Sequence, residues 1–122
     1  MTNVVLRCAD QRLNNIVHKK FTNDLTLAEL GGVKWYMARD NMEELFEQVE
    51  FAVDHKGTKE VSLVAHSDCA LYKELGEDDP KQPAIDLHEA ATQLNERFPA
   101  LTILCYRYDI ETHKLEKIDV IS

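Results

Sequence analysis

Apolar and polar residues follow two rhythms along this chain, and each change of rhythm marks an element. Asn3 to Cys8 carries the continuous apolar run Val4-Val5-Leu6, the pattern of a short strand covered on both faces. Gln11 to Phe21 places Leu13, Ile16, Val17 and Lys20-Phe21 at helical spacing and predicts a helix. Gly31-Gly32 marks a turn, and Val33 to Ala38 predicts a second strand. Asn41 to His55 is the clearest amphipathic helix, with Met42, Leu45, Phe46, Val49 and Val53 on one face, Asn41 as N-cap and Gly57 as its stop. Glu60 to Ala65 predicts a third strand, after which His66-Ser67-Asp68-Cys69 opens a turn or short helix. Gly76 to Pro80 is an acidic surface loop. Pro83 to Phe98 is a helix with Ile85, Leu87, His88, Ala91 and Leu94 near one face, closed by Pro99. Leu101 to Tyr108 predicts a fourth strand, and Lys114 to Ile121 alternates Leu115, Ile118 and Val120 into a last one. These two form an antiparallel hairpin through Asp109–His113.

Strands alternating with helices define an α/β fold. The expectation is a single domain over residues 1–122, with a mostly parallel central sheet of about five strands, the last antiparallel, and helices on both faces. A chain of 122 residues buries roughly two-thirds of its unfolded surface and needs no staple to fold. A bound metal would therefore serve chemistry rather than folding. The formal charge of −8 and the absence of any basic run longer than Lys19-Lys20 argue against nucleic acid and against anionic membranes. No stretch approaches the roughly 18 apolar residues of a membrane span, and the N-terminus lacks a signal-peptide pattern. Three cysteines, an odd number, do not form a disulfide framework; a cytoplasmic protein with thiolates free for metal fits better.

Two clusters carry chemistry: Cys8-Ala9-Asp10-Gln11-Arg12 and His66-Ser67-Asp68-Cys69. Each begins where a predicted parallel strand ends, and ligands of open α/β sheets bind outside those ends, where strand order reverses. If strands one and three are neighbours, Cys8 meets His66 and Cys69 in one crevice. Two thiolates and an imidazole suit zinc and leave a fourth position open. Taken singly, Cys8 reads as a small core residue, the His-x-x-Cys pair is weak, and Cys-x-Asp-x-Arg is a surface ion pair beside a thiol. Their joint occurrence is specific.

Cys8-x-Asp10-x-Arg12, followed after an apolar strand by His66-x-x-Cys69, resembles the β-class carbonic anhydrases. The likeness extends through Val61–Cys69 and the hairpin Tyr108-Asp109-Ile110-Glu111-Thr112, and so over most of the chain. It implies one Zn2+ per chain on Cys8, His66 and Cys69, with Asp10 and Arg12 as the catalytic carboxylate–guanidinium pair. Arg12 would hold Asp10 ionised, and Asp10 would aim a zinc-bound hydroxide at carbon dioxide, giving reversible hydration to bicarbonate. In some members the residue equivalent to Asp10 instead occupies the fourth zinc position. The resemblance also implies a homodimer or higher homo-oligomer. The same site could hydrolyse carbonyl sulfide or carbon disulfide, and a non-catalytic zinc-binding relative acting through an interface is the alternative of a different class. Four departures bear on these choices. Ala38-Arg39-Asp40-Asn41-Met42 stands at the family's Arg-Asn-Ala-Gly-Asn-like loop, Ala70 replaces a glycine, Gln11 replaces a serine, and the long N-terminal helices of larger members have no counterpart.

Cys105 reads as a core residue. His18, His55, His88 and His113 are surface histidines or proton carriers, and Asp68 is a turn, N-cap or catalytic residue. Trp35 and Tyr36 are core or interface aromatics. With no Gly-x-Gly-x-x-Gly and no phosphate loop, a nucleotide cofactor has no support. A redox role for Cys8 and Cys69 is weaker, since they form no Cys-x-x-Cys and leave His66 without a part.

Overall fold

Val4, Val5 and Leu6 are buried because their strand lies inside a sheet rather than at its edge. The computed structural model describes residues 1–122. Five strands, β1 (Val4–Cys8), β2 (Leu25–Glu29), β3 (Glu60–His66), β4 (Thr102–Asp109) and β5 (Lys114–Ile121), line up in the order β2-β1-β3-β4-β5. β1 runs parallel to β2 and β3, and β3 parallel to β4; only the β4–β5 hairpin is antiparallel. Chain order thus reverses between β1 and β3, and the carboxyl ends of those two strands flank the switch point.

One face of the sheet is covered by α2 (Val33–Ala38), α3 (Met42–Lys56) and α5 (Lys81–Arg97). Tyr36, Leu45, Val49, Leu87 and Leu94 there pack on Val4, Leu6, Leu63 and Ile103. The other face carries a short 3-10 turn (Gln11–Leu13), α1 (Asn14–Lys20) and α4 (Ala70–Glu74), with Leu13, Val17, Phe21 and Tyr72 in one cluster with Val5, Val64 and Tyr106. The α/β class, the parallel-then-antiparallel sheet and the helices on both faces match the sequence expectation. No helix is long and apolar enough to cross a membrane.

The second strand is the main correction. Val33–Ala38 is helix α2, and the strand is Leu25–Glu29. β2 is an edge strand whose residues are exposed or half-buried, so its sequence lacks the apolar density of β1. Val33, Trp35 and Tyr36 favour strands by propensity, but burying Val33 and Tyr36 against α3 and α5 overrides that weak preference. The loop after the second strand is accordingly Leu30-Gly31-Gly32, and 38–42 merely links α2 to α3.

Smaller differences have equally local causes. Asn41 holds the N-cap position of α3 but makes no capping bond, its amide donating instead to Glu44. Gly57 ends that helix in the left-handed region, as expected. The β4–β5 register slips opposite Cys105 and Tyr106, so Ile118 is the extra residue of a bulge, and Ile118 and Val120 are exposed.

Candidate metal centre

Cys8 and His66 are the last residues of β1 and β3, and the β1–β3 pairing of Arg7 with Val64 sets them side by side. Asp68 then adopts φ +57°, a left-handed conformation that aspartate tolerates better than most residues, before Cys69 leads into α4. The Cys8 and Cys69 sulfurs and a ring nitrogen of His66, atoms that could hold a metal ion, all lie within 4.8 Å of one another, and all three residues are buried. The three residues that the sequence singled out from distant segments come together.

His66 is 2% exposed, and its Nδ1 sits 2.6 Å from the Ser67 carbonyl oxygen. That contact fixes the Nδ1–H tautomer and leaves a lone pair on Nε2, which is buried and has no hydrogen-bond partner. The Gly31 amide donates to Cys8 Sγ at 3.2 Å. Gly31 can come so close because it has φ +82° and no side chain; a Cβ there would lie 2.4 Å from Leu71 Cδ2. The Cys8 thiol is held well below its ordinary value, chiefly by the Cys69 thiol donating to it, with the Asp10 and Gly31 amides adding to this against the cost of burial. The Cys8 sulfur in turn pushes the Cys69 thiol up, and burial adds to it.

Asp10 caps the 3-10 turn by accepting the Arg12 amide at 2.8 Å, and the Arg12 side chain returns onto it. Arg12 Nε lies 3.1 Å from both carboxylate oxygens and Nη2 2.6 Å from Oδ2. This guanidinium holds the Asp10 carboxyl below the usual carboxylate range. Asp10 Oδ2 stands 4.0 Å from His66 Nε2, which places the carboxylate at the edge of the donor cluster. Arg12 also reaches the second motif, donating to Asp68 Oδ2 at 2.8 Å and to the Asp68 carbonyl at 3.0 Å. Lys73 pairs with the other Asp68 oxygen. Lys73 first and Arg12 second push the Asp68 carboxyl down to about 2. Asp68 is therefore the joint between the two motifs and does not cap α4.

A cavity of about 320 Å³ opens onto Cys8, Asp10 and Cys69 between Gly31, Leu71 and Trp35. The Arg39 guanidinium stacks on Trp35, 3.2 Å from the ring centroid. A larger cavity, about 600 Å³, lies between α1 and β2 and holds none of the five predicted site residues. Cys105 is core, its sulfur against the Leu87 carbonyl. None of the other histidines joins the donor cluster: His55 stacks on Phe51, His88 meets Asp119, His113 meets Tyr108, and His18 lines the larger cavity. Tyr36 is core and Trp35 lines the site cavity.

Sequence reading missed the supporting residues. Gly31 was legible only as a turn. Arg7 had one signal, a charge inside an otherwise apolar strand. Lys34 had the same signal, a charge inside the apolar run Val33–Ala38, whereas Tyr72 and Asp86, its partners in a buried polar cluster, left none.

With its sheet of order β2-β1-β3-β4-β5 and a buried Cys-His-Cys cluster at the switch point, this chain has the fold of the β-carbonic anhydrases over nearly its whole length. The carbonic anhydrase of Streptococcus mutans is similar to it with a TM-score of 0.70 at 17% identity, covering 95% of this chain and 80% of that one. The tetrameric β-carbonic anhydrases of Sordaria macrospora match with a TM-score of 0.62 at 12% identity, over 98% of this chain and 81% of theirs. The apo form of a carbon disulfide hydrolase matches with a TM-score of 0.58 at 21% identity, over 96% of this chain and 80% of that chain. No protein-family model and no curated protein sequence matches the chain.

Proposed function

We propose that this chain is a β-class carbonic anhydrase that binds one zinc ion through Cys8, His66 and Cys69 and reversibly hydrates carbon dioxide to bicarbonate. The observation that carries the reading is the His66 ring, buried, fixed at Nδ1, and presenting an unpartnered Nε2 toward two sulfurs. A buried acceptor without a donor is costly, and a divalent cation satisfies it. The thiols fit the same ion: Cys8 gives up its proton readily, and a cation replaces the proton that Cys69 retains. Sulfur, sulfur and nitrogen form a donor set of zinc type with one position open.

When bound, zinc supplies a nucleophile at neutral pH by lowering the pKa of water. The protein supplies orientation. The Ser67 carbonyl keeps His66 in the ligating tautomer. Asp10, kept ionised by the Arg12 fork, accepts a hydrogen bond at Oδ2 from the attacking water and so aims its lone pair at the carbon of carbon dioxide. Arg12 engages both Asp10 oxygens, an arrangement that would hold the carboxylate at the edge of the donor set when the ion is bound. Bicarbonate leaves through the cavity walled by Gly31, Leu71 and Trp35, and one proton leaves to solvent.

The test is metal content on the purified protein together with stopped-flow carbon dioxide hydration across pH. Stoichiometric zinc with turnover is expected, and Asp10→Asn or Arg12→Ala should keep the metal while losing activity by about 100-fold or more. Dyad variants as fast as the parent would refute the mechanism; stoichiometric zinc with no turnover at any pH would leave a silent zinc-binding relative.

A second reading is favoured by the match to a carbon disulfide hydrolase: the same residues acting on carbonyl sulfide or carbon disulfide. A cavity of about 320 Å³ admits all three gases, so their relative turnover decides. We further propose a homo-oligomer, since Leu30, 60% exposed, leaves an apolar residue at the mouth of the cavity for a second copy to cover. A reducing, cytoplasmic setting accords with three free cysteines.

A further inference from the structure

Arg7 is the one charged residue in β1 and is only 7% exposed. It takes part in no ion pair, although a buried guanidinium without an acid is costly. Its side chain turns back onto the end of its own strand: Nε donates to the Cys8 carbonyl at 2.8 Å and Nη2 to the Asp10 carbonyl at 2.8 Å. The same Asp10 carbonyl accepts the Leu13 amide at 3.1 Å. Between the two gripped carbonyls run Ala9 and the Asp10 backbone, and the Ala9 amide donates to the Glu29 carbonyl of β2. One planar fork therefore fixes the Cys8–Ala9 and Asp10–Gln11 peptide groups, the two ends of the turn that carries Asp10 away from Cys8.

We propose that Arg7 is a positioning residue for the metal centre, its guanidinium clamping the Cys8–Asp10 turn so that the first thiolate and the carboxylate face the His66–Cys69 pair. The inference rests on the zinc reading above. Arg12 joins the two motifs from outside; Arg7 sets the shape of the first from within. Lysine keeps the charge but lacks a planar fork that meets the two carbonyls from separate nitrogens, so the fork itself is what the position requires.

The test compares the parent with Arg7→Lys and Arg7→Met in two measurements. The first is amide hydrogen exchange on metal-free protein, read at Ala9 and Leu13 against Val64 in the sheet interior. Arg7→Met should speed exchange at Ala9 and Leu13 about tenfold, as expected on losing hydrogen bonds from a charged donor, with Val64 unchanged. The second is zinc affinity by competition with a chromophoric chelator, with the charge-transfer bands of the cobalt form as a signature of thiolate geometry. Arg7→Met should raise the zinc Kd about 10- to 100-fold and displace those bands, and Arg7→Lys should recover only part of either effect. Parent exchange rates at Ala9 and Leu13, or an acceleration shared equally by Val64, overturn the proposal; so do a parent Kd and cobalt spectrum in both variants. A parent that takes up no zinc refutes the proposed function instead, and the exchange comparison then decides Arg7 alone.

Discussion

Asp86→Asn, a change at a residue with no hydrogen bond to Cys8, His66 or Cys69, should be among the most damaging single changes in this chain. Asp86 lies on α5 and is 3% exposed. Its Oδ2 accepts from Lys34 Nζ at 2.9 Å and from the Tyr72 hydroxyl at 2.8 Å, and its Oδ1 accepts from Gln82 at 2.9 Å. Lys34 is buried on α2, and its only other ion-pair partner is Glu77, at 2.7 Å and more exposed. One carboxylate thus binds α2, which follows the Gly31 loop, to α4, which follows Cys69. Asparagine keeps an acceptor but removes the charge, leaving Lys34 with Glu77 alone. Removing one member of a buried pair costs about 3–5 kcal/mol, and because Glu77 remains the lower figure applies, about 3 kcal/mol. With an m-value near 1.5 kcal/mol/M the urea midpoint falls by about 2 M, a large part of a total stability of roughly 5–15 kcal/mol. Trp35, the single tryptophan and a residue of α2, reports the transition by fluorescence. The partner change Lys34→Met removes the stranded ammonium, so the double variant should be more stable than the sum of the singles predicts, by about 2 kcal/mol. An Asp86→Asn loss below about 1 kcal/mol, or additive single losses, would refute the reasoning.

Other outcomes follow from the same structure. Gly31→Ala places a Cβ 2.4 Å from Leu71 Cδ2 at φ +82°; a stability loss of about 1–3 kcal/mol by thermal melting and a weaker zinc Kd are expected. Burial pushes the Cys105 thiol up to about 12, with Asp119 adding to it. Because that value lies above the unfolded one, near 8.5, its contribution is complete below about pH 8.5 and is lost as pH rises toward 12. The parent should therefore lose about 2 kcal/mol between pH 8.5 and 10 from this group; urea midpoints for Cys105→Val should show a correspondingly smaller fall. Stripping zinc with a strong chelator should abolish turnover yet leave the far-UV circular dichroism spectrum intact, because the core clusters on both faces of the sheet are built without it.

What the sequence revealed of the fold depended on burial. β1 and β3 are covered on both faces, and their apolar runs were read within a residue or two of their ends. β2 is an exposed edge, and its Leu25 and Leu27 alternate too weakly to stand out beside Val33-Lys34-Trp35-Tyr36. That single misplacement moved the loop after the second strand from Leu30–Gly32 to residues 38–42, and so made the loop that touches Cys8 look like a departure elsewhere. β5 was legible as a strand, but its bulge was not, because a register slip depends on the partner strand.

The site divides along the same physical line. Metal-binding side chains must be of particular elements, so cysteine and histidine at strand ends announce themselves by type. Groups that hold them in place need only be donors or acceptors of the right reach, and almost any polar residue qualifies by type. Arg12 shows the boundary: its pairing with Asp10 was readable from a two-residue spacing, whereas its bonds to Asp68 join residues 56 apart. Those long-range bonds carry a consequence for substitution. Asp68→Asn leaves the three proposed zinc ligands and Asp10 unchanged but weakens the tie between the motifs, so the zinc Kd should shift little while turnover falls. A zinc Kd that rises as far as turnover falls would mean that the Arg12–Asp68 tie holds the metal site together rather than aligning its carboxylate.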